Sequence, residues 1–144
     1  MLLDELSMPR AVWRCDNPAM ADSNVELARR GFAAALRGDL VALGELLDPE
    51  VKWHGGDPTA AGSCRNREQA LTFMRQSQVI RGGGFELVDV VGAGDNVVVI
   101  MRPPSAGAQP ASPVANITTF RNGKVVEIVH YPDAADALAA AGVG

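Results

Sequence analysis

From Val25 onward the apolar positions fall on one helical face. Val25, Leu27, Ala28, Phe32, Ala35 and Leu36 recur at helical spacing. Ser23 or Asp22 caps this helix, with Glu26 at the capping-box position, and Gly38 closes it. Asp39 caps a second, short helix through Leu40, Leu43, Leu46 and Leu47, which Asp48-Pro49 stops. Glu50 to His54 then reads as a short strand with Val51 and Trp53 on one face and His54 alternating with Lys52. Loop signals run from Gly55 to Ser63. Asn66 caps a third helix with the stripe Ala70, Leu71, Phe73, Met74 and Ser77, ended by Gly82-Gly83-Gly84.

Beyond residue 84 the period changes from helical to extended. Phe85–Val91, Asn96–Arg102, Val114–Arg121 and Lys124–Tyr131 read as four strands. Gly92-Ala93-Gly94-Asp95 turns the first into the second. Val97 to Met101 is apolar on both faces, the mark of a strand covered from both sides. A Pro/Ala/Ser/Gly loop spans Pro103 to Pro113, and Asn122-Gly123 is a strong hairpin signal. Pro132-Asp133 opens a last alanine-rich helix. Helices first and strands last, without βαβ alternation, predict an α+β fold. The expected architecture is a curved antiparallel sheet wrapped around the N-terminal helices, with one apolar pocket.

Composition narrows the function classes. The chain has 144 residues, one domain's worth, with a net charge of −4 and its 13 basic residues scattered. That argues against nucleic acid, which needs clustered Lys and Arg. No apolar run suffices to span a bilayer, and Asp4, Glu5 and Arg10 leave no signal-peptide core. A cytoplasmic protein without membrane contact is expected. Cys15 and Cys64 show no metal-ligand spacing, and no Asp/Glu/His set suggests a metal or cofactor. Residues 1–22, interrupted by Pro9 and Pro18, read as an extension ahead of a domain over 23–144. Met20-Ala21-Asp22-Ser23 resembles a chain start, whereas Trp13 argues for some packing of the extension.

Three local patterns, in order, carry a family resemblance: Arg37-Gly38-Asp39-Leu40, then Leu47-Asp48-Pro49-Glu50-Val51-Lys52-Trp53-His54, then Phe120 to Ile128 around Asn122-Gly123. Over about residues 24–141 the chain resembles the SnoaL-like, ketosteroid-isomerase-like superfamily, also called nuclear transport factor 2-like. The resemblance implies the cone-shaped fold and frequent homodimers through the sheet. It says little about activity, because this fold hosts isomerases, cyclases, epoxide hydrolases and binders. His54 stands where the isomerases have their aspartate base, and Asn116 where they have a second aspartate. The oxyanion tyrosine would fall near Gly31 or Phe32. His130 stands near the position of the cyclases' acid/base aspartate. The Asp-Arg-Asp set of the epoxide hydrolases is missing, with Asp89 and Arg102 expected at the surface.

The residues themselves support a related reading. The chain's two histidines, His54 and His130, both fall at strand ends expected to face the cavity, and an imidazole can take and return a proton near neutral pH. Asn116 shares a strand face with Val114, Thr118 and Phe120, and its amide can hold a ligand oxygen. His130 shares a face with Val126 and Ile128. The candidate catalytic residues are therefore His130 and His54. The candidate ligand contacts are Asn116, Trp53, Phe32, Phe73, Thr118 and Ile128, for a small hydrophobic oxygenated partner. A satisfied core amide, packing aromatics and an internally bonded histidine are the plainer alternatives for the same residues. Cys64 beside Arg65 admits a lowered thiol pKa, though without a nucleophile motif around it. Three roles compete: proton-transfer enzyme, binding protein without turnover, and a homodimeric structural module in which a partner covers the outer face of Val97–Met101.

Overall fold

The computed structural model describes residues 17–56, 59–76, 85–104 and 111–143, with side chains from Ser23 onward. The elements are α1 (Asn17–Arg37), α2 (Leu40–Leu46), β1 (Leu47–His54), α3 (Arg67–Arg75), β2 (Glu86–Ala93), β3 (Asn96–Arg102), β4 (Val114–Arg121), β5 (Lys124–Tyr131) and α4 (Ala134–Ala140). They build an α+β fold around one five-stranded, curved and unclosed sheet, in the order β1-β5-β4-β3-β2.

The meander β2–β3–β4–β5 is antiparallel throughout, as the period-two pattern requires. The first strand departs from that pattern. β1 joins β5 in parallel, so the sheet is mixed rather than wholly antiparallel. A parallel partner needs a long crossover, and α3 with the whole meander supplies it. β1 also begins earlier than Asp48-Pro49 suggests. The helix stops at Leu46, and Leu47 is already extended (φ −91°, ψ 135°). Pro49 is accommodated because β1 is an edge strand and that stretch of the ladder is irregular. At the other end of the chain's order, α1 starts at Asn17, so Ser23 and Glu26 lie inside the helix rather than at its mouth. The glycines at 82–84, Ser77, Trp13 and Cys15 lie outside the described residues.

The caps of α2 and α3 fall where the sequence places them. Asp39 accepts from the Ala42 amide at 3.1 Å and Asn66 from the Gln69 amide at 2.8 Å. The first of these bonds, helped by Arg37, holds the Asp39 carboxyl below its usual pKa. Asp133 caps α4 through the Ala135 amide.

Two apolar layers sandwich the sheet. On the concave side α1, α2 and α3 meet Leu47, Val51, Val97, Val99, Met101 and Phe120. On the convex side α4 sets Ala134 and Ala137 against Val98, Ile100, Ala115 and Ile117. β3 is thus buried on both faces, as Val97–Met101 predicts. Full burial of one such aliphatic side chain contributes about 1.5–3 kcal/mol, and Val97 and Val98 achieve it on opposite faces. On the convex side the chain's own α4 covers this patch of β3 and β4. Asp89 and Arg102 sit at the surface: Asp89 accepts from the Val90 amide, and Arg102 pairs with Glu86 at 3.2 Å.

Candidate functional site

Sheet curvature leaves space between the concave face and the helices. An inner chamber of about 160 Å³ lies there. Helix α1 contributes Leu27, Ala28, Gly31, Phe32 and Ala35, and the sheet contributes Trp53, Val99, Met101, Phe120, Val125 and Ile128. Two polar side chains break this wall, Asn116 and Thr118, both from the concave face of β4. The Thr118 hydroxyl is buried. A wider vestibule of about 480 Å³ shares Trp53, Met101 and Asn116 with the chamber and adds His130, Phe73, Phe85, Val114 and the segment Ala60–Cys64. Asn116 therefore stands where the two spaces join.

Register explains this placement. Asn116 faces His130 directly across the β4–β5 ladder, while Val99 and Val97 face Asn116 and Thr118 across β3–β4. The cross-strand pair makes a hydrogen bond, His130 Nδ1 to Asn116 Oδ1 at 2.9 Å. An amide oxygen only accepts, so Nδ1 carries the proton and Nε2 of the neutral ring keeps its lone pair. Partial desolvation at the vestibule pushes the His130 pKa below its ordinary 6.5, which favours that neutral ring.

His54 has different surroundings. Its register with Val129, next to Lys52 opposite Glu127, turns it to the sheet face away from Trp53 and Ile128. It is buried nonetheless. Nε2 contacts Glu127 Oε2 at 2.7 Å, and Nδ1 accepts from the Gly56 amide at 3.2 Å. Both ring nitrogens are engaged. His54 and His130 both line the vestibule, His130 from the sheet face that carries Asn116 and His54 from the other.

Of the remaining candidates, Phe32, Trp53, Thr118 and Ile128 all line the inner chamber. Phe73 lies at the vestibule, 46 % exposed, with its ring edge-on to Trp53 at 5.1 Å. Val126 does not share the face of Ile128. A bulge leaves it without a partner between the pairs Phe120–Val125 and Thr119–Glu127, and Val125 lines the chamber instead. Cys64 is buried, bridged through its backbone to Trp53, and burial raises its thiol pKa rather than lowering it. Sequence reasoning missed Glu127 as the partner of His54. It also missed Met101 and Val99 as walls, although their alternation along β3 carried the signal. Among the described residues no group of three or more His, Cys, Asp or Glu is placed to hold a metal. No helix among them is long and apolar enough to cross a membrane.

A family profile for the SnoaL-like domain matches residues 28–128. The chain belongs to this SnoaL-like family. Among solved structures it is similar to Bal32a, from a soil-derived mobile gene cassette, with 30 % identity and a TM-score of 0.62 over 77 % of this chain and 89 % of that one. A nuclear transport factor 2-like protein of unknown function from Mesorhizobium loti shares 20 % identity, with a TM-score of 0.64 over 83 % and 95 % of the two chains. A de novo designed protein with a curved β-sheet aligns at 18 % identity and a TM-score of 0.60, over 76 % and 84 %. The last two show shared fold alone. No curated protein matches the chain. The SnoaL-like match runs from within α1 to within β5 and ends short of His130.

Proposed function

We propose that the protein binds a small, largely apolar molecule bearing an oxygen, and that His130 moves a proton on it. The observation that carries this reading is the His130–Asn116 bond at the junction of an apolar chamber and an open vestibule. In the proposed arrangement the ligand's carbon skeleton fills the chamber and its oxygen meets Asn116 or Thr118. The Nε2 lone pair of His130 takes a proton from a carbon next to the carbonyl and returns it to another position, an isomerase- or cyclase-type step. The lowered pKa supports the role, because the ring is free base at neutral pH. We place this activity in the cytoplasm.

The test is deuterium exchange into cyclohexanone and 2-cyclohexenone in heavy water, followed by NMR. Exchange above background is expected, and His130→Phe should reduce it by about 100- to 10,000-fold. The rate should rise with pH as His130 deprotonates, with its inflection below 6.5. Exchange that is unaffected by His130→Phe would remove the histidine from the chemistry.

Binding without turnover is the second reading. It is favoured by the chambers' lining, which has no carboxylate among the described residues, so His130 has no ionised partner to strengthen it. Saturable quenching of Trp53 in a Trp13→Phe background, with no exchange, would select it.

A further inference from the structure

We infer that the inner chamber selects neutral, single-ring hydrogen-bond acceptors, and that His130 sets this preference by fixing which way the Asn116 amide faces. The inference rests on the ligand-binding reading above and adds to it the class of ligand.

A side-chain amide has one accepting end and one donating end. At Asn116 the accepting end is taken, because Oδ1 receives the His130 Nδ1 proton at 2.9 Å. The NH2 end has no partner among the described residues, and Asn116 lines the chamber, so this end is the one offered to a ligand there. A carbonyl or ether oxygen placed there accepts a hydrogen bond. A ligand offering only N–H groups meets a second donor and leaves both unpaired, a penalty large enough to decide binding. The Thr118 hydroxyl rotates to donate or accept and does not discriminate. No charged side chain lines the chamber among the described residues, so an ionic ligand would enter it without a counter-charge. Size adds a limit. A chamber of about 160 Å³ matches the roughly 150 Å³ that holds a benzene ring, so it admits one ring, and a fused four-ring skeleton would have to extend into the vestibule.

His130 is here a positioning residue as well as the proposed base, and pH separates the two roles. Protonation removes the Nε2 lone pair but leaves Nδ1–H donating to Asn116. Acceptor preference should therefore persist below the pKa of His130, where proton transfer stops.

The experiment compares cyclopentanone, an acceptor, with pyrrole, a donor of the same ring size. Binding is read from Trp53 quenching in the Trp13→Phe protein and from the Asn116 side-chain NH2 signals. The ketone should bind at least about tenfold tighter, above and below the titration point of His130. His130→Phe, checked for an unchanged circular dichroism spectrum, should bring the ratio towards one. Asn116→Asp, which offers only acceptors, should favour pyrrole. Equal binding of both compounds to the unmodified site, or a ratio that survives His130→Phe, overturns the inference while the ligand-binding reading stands. Binding of neither compound overturns both.

Discussion

The two histidines put the same side chain into opposite situations. His130 has one nitrogen in use and one without a partner among the described residues, whereas His54 has both in use. Because Nδ1 of His54 accepts from Gly56, its proton sits on Nε2 and points at Glu127. His54 thereby ties the end of β1 to β5 and to the turn that follows. Replacing it with alanine strands the Gly56 amide and opens a buried gap. His54→Ala should lower stability by about 1–3 kcal/mol in urea unfolding and leave cyclopentanone binding unchanged. Lost binding at unchanged stability would move His54 into the site. The alternation with Lys52 already implied that His54 faces away from Trp53. Its burial was not legible, because it depends on Glu127, 73 residues distant in sequence, brought alongside by a parallel pairing that no local pattern encodes.

Elements show the same division between local and remote causes. The hairpin at Asn122-Gly123 is local chemistry. Both residues have positive φ, 54° and 79°, in a two-residue connection between Arg121 and Lys124. Space around Gly123 is open, so a methyl group there meets no neighbour and only the backbone preference is at stake. Gly123→Ala should destabilise the protein by about 1–2 kcal/mol in chemical denaturation, and Asn122→Gly by less. A neutral Gly123→Ala would mean that the turn relaxes to another type. The bulge a few residues later was not legible. It leaves Val126 unpaired and resets the alternation, so that Val125, Ile128 and His130 share the concave side. A strict period of two carries Val126 there instead. Asp48-Pro49 misleads for a similar reason: proline ends a helix by local rules, yet an edge strand tolerates it.

For the whole molecule, the decisive arrangement is that both faces of β3 are covered by one chain. The sequence shows that both faces of β3 need cover, and the family resemblance suggests a second copy as its source for the outer face. The structure supplies α4, with Ala137 fully buried against a patch containing Val98 and Ala115, themselves fully buried. Small residues are what make this possible, since alanines let the short helix lie close to the sheet. The concave side, by contrast, keeps its space because α1 offers Gly31 and Ala35 where larger side chains would fill the chamber. Ala137→Asp tests the cover directly. An aspartate there either remains buried without a partner or forces α4 off the sheet. Displacing the helix exposes Val98, Ile100 and Ile117 together, a contiguous apolar face of the kind that drives association. The variant should bind an apolar dye more strongly than the parent and elute as a larger species, while an outward change such as Ala135→Asp, at an exposed position of the same helix, should do neither. Unchanged elution and dye binding in Ala137→Asp would mean that α4 is dispensable as a lid. Self-association of the parent would then be the better candidate for the sheet's second cover.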